Sequence, residues 1–169
     1  MTRQSVAPPS VDVDRVAALL GRYPSGDMQV VVRRSDGTPS VIANAPFLFD
    51  GTPMPTRYWL VDPDLREAVA RLESAGGVRA AEEAVDAAEL ADAHARYAAE
   101  RDALIPPGYR GPRPAGGVGG TRVGVKCLHA HLAWWLVGGG DPVGSWVAAR
   151  VGAGRAPQGL PGDGASVGM

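Results

Sequence analysis

The sequence contains only one cysteine, Cys127, among 169 residues. No disulfide can therefore form within the chain, and this cysteine usage favours a reducing compartment. The longest uninterrupted apolar run, Leu132 to Val137, is far too short to span a bilayer. The first ten residues also lack the apolar core of a signal peptide. We therefore predict a cytoplasmic protein that contacts no membrane.

The chain also lacks an excess of positive charge. Its 17 lysine and arginine residues are balanced by 18 acidic residues, which gives a net charge of −1. A protein of this balance has no overall positive field to attract a phosphodiester backbone, so a nucleic acid partner is not expected. Charged residues make up 21% and apolar residues 45%, proportions that are ordinary for a globular domain. We predict one domain over residues 10–151, with a disordered N-terminus (1–9) and a disordered, Gly/Ala/Pro-rich tail (152–169).

Strands are predicted in the first third of the chain. β-Branched and aromatic residues recur there between turn signals, and two Asp-Gly pairs, at 36–37 and 50–51, are typical of hairpin loops. The predicted strand segments are 28–32, 41–42, 47–49 and 57–61. They indicate a small antiparallel sheet of three or four strands over about residues 28–61.

Helices are predicted around this sheet. Asp62 followed by Pro63 is a strong helix start, and Gly76-Gly77 is a stop signal. The other predicted helices are 10–20, one or two within 78–104, 125–137, and a short one from Asp141. The fold class is therefore α+β, with four to five helices packed on the sheet.

A glycine-rich stretch precedes the predicted helix at Val125. It reads Gly-Gly-Val-Gly-Gly-Thr-Arg-Val-Gly-Val-Lys over residues 116–126. Free backbone N–H groups and a helix N-terminus favour a negative group, and two nearby cations would strengthen the attraction. We predict a phosphate-like anion site made by Gly119, Gly120, Arg122, Gly124 and Lys126. The spacing matches neither a Walker A loop nor a dinucleotide fingerprint, and the alternative interpretation is a plain connector.

The segment Cys127-Leu128-His129-Ala130-His131 offers a second kind of chemistry. On a regular helix Cys127 and His131 would share a face, whereas His129 would point about 200° away from Cys127. Cys127 and His131 could then serve a metal- or thiol-dependent enzyme, with Asp62 or another acid as a further ligand. Two ligands are too few for a metal, so no metal site is assigned, and the alternative is a buried cysteine beside structural histidines.

A third hypothesis comes from two adjacent tryptophans, Trp134 and Trp135. Neighbouring residues of a helix point to different sides, so one ring could be exposed and serve as a protein-binding surface. The cofactor is left unknown. The partners we consider are a phosphate-containing small molecule and a protein.

Three blocks of sequence carry a family resemblance. They are Asp-Gly-Thr-Pro-Met-Pro-Thr-Arg-Tyr-Trp-Leu at 50–60, Ala-Glu-Arg-Asp-Ala-Leu at 99–104 and Val-Lys-Cys-Leu-His-Ala-His at 125–131. In this order they resemble an uncharacterised, mainly actinobacterial family known as domain of unknown function 501. The resemblance covers about residues 12–150 and implies no established activity.

The resemblance does imply two associations. Relatives are often encoded near septum-formation-initiator-like and exopolyphosphatase-like proteins, which links the interaction hypothesis to cell division or polyphosphate metabolism. In many relatives the position of Asp62 carries cysteine or histidine, which would suit a metal site together with Cys127 and a histidine. This chain has an aspartate there, so the resemblance implies that soft ligands have been lost.

Overall fold

The computed structural model describes residues 10–155 as three strands and six α-helices. In chain order these elements are α1 (Ser10–Leu20), β1 (Gly26–Arg33), β2 (Pro39–Leu48), β3 (Tyr58–Leu60), α2 (Pro63–Ser74), α3 (Gly77–Ala84), α4 (Ala87–Asp102), α5 (Leu128–Leu136) and α6 (Pro142–Val151). The predicted α+β class is confirmed, with six helices in this range instead of four to five. Of the two segments predicted to be disordered, all of 1–9 and residues 156–169 of the tail 152–169 lie outside the described residues.

The sheet has the order β1-β2-β3, and both neighbouring pairs are antiparallel. The predicted hairpin joins β1 to β2. Its loop is closed by a hydrogen bond of 2.9 Å from the Thr38 N–H to the Asp36 carboxylate, and Gly37 takes the left-handed φ of +85° that the turn requires. Segments 41–42 and 47–49 were predicted as separate strands, but 41–42 and the first two residues of 47–49 belong to the single long strand β2, which ends at Leu48.

The helix boundaries follow from their caps. Asp62 accepts hydrogen bonds from the N–H groups of Asp64 and Leu65 and begins α2, as predicted. The region 78–104 forms two helices because Asp86 leaves the helical backbone and caps α4 by accepting from the Glu89 N–H at 2.9 Å.

The predicted start of α5 at Val125 is wrong by three residues. Gly124 has a left-handed φ of +69°, and Cys127 has extended backbone angles (φ −149°, ψ 124°), so neither residue can belong to the helix. The helix begins at Leu128, and Cys127 occupies its N-cap position. The cations Arg122 and Lys126 therefore lie in the preceding loop.

The main core lies between the sheet and the helices α4, α5 and α6. Tyr97 of α4 is fully buried in it, and its hydroxyl accepts hydrogen bonds from the backbone N–H groups of Arg57 (2.6 Å) and Tyr58 (3.2 Å). Burial raises the pKa of Tyr97 to about 12. These two bonds fix the short strand β3 against α4. Strand β3 forms a wall of the candidate site.

The helices can be compared with the length and apolar character that a membrane span requires. Among residues 10–155, no helix is both long enough and apolar enough to cross a bilayer.

Candidate functional site

The glycine-rich loop between α4 and α5 is fixed by a buried arginine. The side chain of Arg101 is only 1% exposed, and its guanidinium donates to the carbonyl oxygens of Gly116 (2.8 Å) and Pro55 (3.1 Å). Its Nε donates to the Asp102 carboxylate at 2.9 Å. A buried guanidinium needs such partners because water no longer solvates its charge. The loop is therefore built into the fold and is not a loose connector.

A buried histidine holds the next part of the loop. Nδ1 of His94 accepts a hydrogen bond from the Val118 N–H at 3.0 Å, which leaves Nε2 to donate to the Gly124 carbonyl at 2.8 Å. This pattern fits only the neutral imidazole with its proton on Nε2. Burial lowers the pKa of His94 and the nearby His131 ring acts in the same direction, although the Gly124 carbonyl opposes both.

A carboxylate of the chain itself occupies part of the predicted anion site. Glu82 of α3 accepts a hydrogen bond from the Val125 N–H at 3.0 Å. Its Oε1 atom also lies directly against Gly124, in the space that a Cβ atom would need. The N–H of Val125, next to the predicted Gly124, is thus paired within the protein. Gly124 faces Glu82 and not a ligand cavity.

The remaining residues of the predicted anion site are divided between two sides of the loop. Gly119 and Lys126 line one cleft, whereas Arg122 lines another together with Arg101 and His94. Gly120 lies near the ring of Pro55. The structure therefore does not gather the five predicted residues around one point.

The cleft that contains Lys126 has a volume of about 400 Å³. Its walls include three cationic side chains, Arg22, Arg66 and Lys126, and also Cys127 and His129. Among residues 10–155, no aspartate or glutamate lines it. We call this space the cationic cleft. Its charge stands out in a chain whose net charge is −1.

Three groups with different chemistry meet at the edge of the cationic cleft. Nδ1 of His129 lies 3.6 Å from Sγ of Cys127 and 2.6 Å from Oε1 of Glu73. The other ring nitrogen, Nε2, lies 3.3 Å from the Arg66 carbonyl oxygen. Sulfur, nitrogen and oxygen atoms of Cys127, His129 and Glu73 all lie within 4.8 Å of one another. We call these three residues the Cys-His-Glu cluster.

The members of this cluster shift one another's protonation. Burial raises the pKa of the Cys127 thiol, but hydrogen bonds from His129 and the Ala130 N–H outweigh it, so that the thiol pKa is lower than usual. The hydrogen bond to Cys127 raises the pKa of His129, and the Glu73 carboxylate adds to the increase. Burial alone would lower this pKa, but its effect is smaller. The arrangement favours a thiolate beside an imidazolium.

His131 is not part of this cluster. It is fully buried, and its Nδ1 lies 2.6 Å from Oδ2 of Asp141, which also caps α6 through the N–H groups of Val143 and Gly144. Nε2 of His131 is buried without a hydrogen-bond partner in the described residues. The pairing expected for Cys127 and His131 on one helix is replaced by a pairing of Cys127 with His129. The reason is that Cys127 precedes the helix.

Asp62 has a structural role. It is 4% exposed, caps α2 and accepts a hydrogen bond of 3.0 Å from the Ser40 hydroxyl. It lines a separate cleft with Arg34, whose guanidinium lies 3.6 Å from it. It does not belong to the Cys-His-Glu cluster.

The two tryptophans of α5 are both engaged. Trp134 is 4% exposed, and its indole N–H donates to Glu100 at 2.9 Å. The ring of Trp135 lies 4.4 Å from the guanidinium carbon of Arg155. Neither ring is a bare apolar surface in the described residues.

Sequence reasoning missed Glu73, Glu82, Arg22 and Arg66. Each is far from residue 127 in sequence, and only tertiary packing brings it to the site. Arg22 lies in the turn after α1, Arg66 and Glu73 lie on α2, and Glu82 lies on α3. No local motif marks these residues. Their positions in the sequence do not indicate which residues they will contact in the fold.

Taken together, the fold and the site define an α+β protein with a cationic cleft and a cysteine–histidine pair at its edge. The chain belongs to the family described as "Protein of unknown function (DUF501)", which matches residues 30–149. The expected family membership is thereby confirmed. No curated protein and no solved structure matches the chain.

Proposed function

We propose that this protein binds a small, multiply charged anion of the phosphate class in the cationic cleft. The observation that carries the proposal is the charge of the cleft wall. Arg22, Arg66 and Lys126 line one space of about 400 Å³ to which the described residues contribute no carboxylate. Three cationic side chains in one wall repel one another, and a bound anion relieves that repulsion.

The size and chemistry of the cleft suit such a ligand. Its volume lies near the lower end of the range of about 300–1,000 Å³ for small-molecule sites. Arginine can donate two parallel hydrogen bonds to a phosphate group, and lysine adds a compact point charge. Tyr58, Trp59 and Leu60 supply apolar wall. A compact ligand with two or three anionic oxygens would be held from several sides.

The proposed anion site keeps some of the residues predicted from the sequence and replaces others. Gly119 and Lys126 remain at the site because they line the cationic cleft. Arg122 and Gly124 leave it, since the first faces the other cleft and the second faces Glu82. Arg22 and Arg66 take their place. The proposed location remains the cytoplasm, where the single cysteine would stay reduced.

The test is an isothermal titration of the full chain with inorganic phosphate, pyrophosphate and tripolyphosphate. Wild type is compared with Lys126→Ala and with the matched control Arg122→Ala, which removes a nearby exposed cation from the other side of the loop. We expect pyrophosphate to bind wild type and the control equally. Lys126→Ala should lose about tenfold in affinity, or about 1.4 kcal/mol, the scale of one charge-assisted contact.

Two results would contradict the proposal. One is the absence of binding by any of the three anions at millimolar concentration in cooperatively folded protein. The other is a loss of affinity in Arg122→Ala with none in Lys126→Ala, since that would place the anion in the other cleft.

A further inference from the structure

We infer that the Cys-His-Glu cluster is a binding site for a soft divalent metal ion of the zinc class, held by Glu73, Cys127 and His129. This inference goes beyond anion binding and does not depend on it. It rests on a cluster of three ligating atoms from two elements. Glu73 lies in the last turn of α2, and the other two residues lie at the start of α5.

The distance between the sulfur and nitrogen ligands fits a tetrahedral ion. With zinc–sulfur and zinc–nitrogen distances of about 2.3 Å and 2.05 Å, a tetrahedral angle separates the two ligand atoms by about 3.6 Å. Sγ of Cys127 and Nδ1 of His129 lie 3.6 Å apart. The distance from Nδ1 to Glu73 Oε1 is 2.6 Å, which is that of a hydrogen bond. A metal ion would take the place of that proton, and the glutamate side chain would move outward by about 0.8 Å to reach tetrahedral geometry.

The surroundings of His129 match those of a metal ligand. Its Nε2 faces the backbone carbonyl of Arg66 at 3.3 Å, and this contact holds a proton on Nε2. When a metal ion replaces the proton on Nδ1, the Nδ1 lone pair is directed at the space between Cys127 and Glu73. A ligating histidine commonly donates its second N–H to a carbonyl or carboxylate in this way, which fixes both its orientation and its tautomer.

Charge and ligand number also agree. A thiolate and a carboxylate together neutralise a divalent ion, so a metal here adds no net positive charge beside Arg66 and Lys126. Three protein ligands leave one position of a tetrahedron free, and this number is typical of a reactive zinc site, not a structural one. Cys127 and His129 line the cationic cleft, so the free position would be reached from it.

The test uses the full chain, purified without a histidine tag and stripped of metal by a chelator that is then removed by dialysis. Co²⁺ is titrated as the spectroscopic probe. We expect one equivalent to bind, with a sulfur-to-cobalt charge-transfer band in the near ultraviolet and the visible bands of a tetrahedral ion. Zn²⁺ should then displace the cobalt and abolish both signals.

Variants test two of the three ligands. Cys127→Ser should lose the charge-transfer band, and Glu73→Gln should weaken cobalt binding by at least about tenfold. Glu67→Gln is the matched control, because Glu67 lies on the same helix in an exposed pair with Arg71. Circular dichroism and the melting midpoint of each metal-free variant show whether it folds.

The inference is overturned if folded wild-type protein shows no charge-transfer band at saturating Co²⁺. It is equally overturned if Glu73→Gln binds cobalt as tightly as Glu67→Gln does, because the cluster would then supply only two ligands. Neither result bears on the pyrophosphate titration, which is performed on metal-free protein.

Discussion

Nδ1 of His129 lies 3.6 Å from Sγ of Cys127, although two residues separated by one position on a regular helix point in nearly opposite directions. They meet because Cys127 is the N-cap of α5 and has extended backbone angles, so its side chain turns back over the first turn of the helix. The same position brings Sγ near the Ala130 N–H. The helix start thus creates a cysteine–histidine pair that helical spacing alone would not produce.

The first prediction concerns acid destabilisation through His94. Its pKa is lowered in the folded protein, so the unfolded chain binds more protons below the unperturbed value of about 6.5. The contribution of His94 to stability is therefore complete above that pH and is lost as the pH falls through the folded-state pKa. We expect metal-free wild type to lose more unfolding free energy between pH 7.5 and 5.5 than His94→Gln does, measured by urea unfolding.

His129 provides the opposing control for that prediction. Its pKa is raised in the fold, so its contribution is present at low pH and is lost as the pH rises through the folded-state value. His129→Gln should therefore lose more stability on acidification than wild type. The charged and titratable neighbours of His94, namely His131 and Asp141, are unchanged in both variants. Equal pH dependence in wild type and His94→Gln would contradict the assignment of a neutral His94.

The second prediction concerns Arg101. Arg101→Met keeps much of the apolar length of the side chain but leaves the carbonyl oxygens of Gly116 and Pro55 without their donor. We expect a loss of about 3–5 kcal/mol in unfolding free energy, the scale for breaking a buried charged network. The measurement is urea unfolding followed by tryptophan fluorescence.

Arg79→Met is the control for Arg101→Met. Arg79 pairs with Glu83 on the surface of α3, and its side chain is 88% exposed. Its replacement should change stability by no more than about 0.5 kcal/mol. Similar losses in both variants would mean that Arg101 does not hold the loop.

The third prediction concerns the contact between α5 and α6. A Cβ atom at Gly144 would lie 2.5 Å from the His131 carbonyl oxygen and 2.5 Å from Cβ of Trp135, so Gly144→Ala must push the two helices apart. We expect a cost of about 1–3 kcal/mol, as for other overpacked cores. Gly154→Ala is the control, since nothing lies within 4 Å of a Cβ atom at that position. Equal melting midpoints for the two variants would contradict this account.

Much of the fold could be predicted from sequence because its signals are local. The hairpin at Asp36-Gly37 and the cap at Asp62 each depend on residues within a few positions of one another. The start of α5 could not be predicted in the same way. The residues from Val125 onward are apolar enough for a helix, but the left-handed Gly124 and the bond from the Val125 N–H to Glu82 hold them in another conformation.

The candidate site was predictable only in part. Lys126, Cys127 and His129 were identified from one short segment, and all three line the cationic cleft. Their partners were not, because they are distant in sequence. Arg22 reaches the cleft from the turn between α1 and β1, Arg66 reaches it from α2, and Glu73 of α2 meets the cysteine–histidine pair at its edge. Tertiary packing also separates Arg122 and His131 from this group, although they lie close in sequence.

The central claim is that an anion occupies the cationic cleft beside Cys127. The most direct measurement is the rate at which neutral iodoacetamide alkylates this cysteine in metal-free protein, with and without saturating pyrophosphate. Cys127 is the only cysteine, so intact mass reports this site alone. We expect saturating pyrophosphate to slow alkylation severalfold in wild type and Arg122→Ala, and the pyrophosphate concentration that gives half of this protection to be about tenfold higher in Lys126→Ala. An unchanged rate under conditions where the titration shows bound pyrophosphate would place the anion elsewhere and contradict the claim.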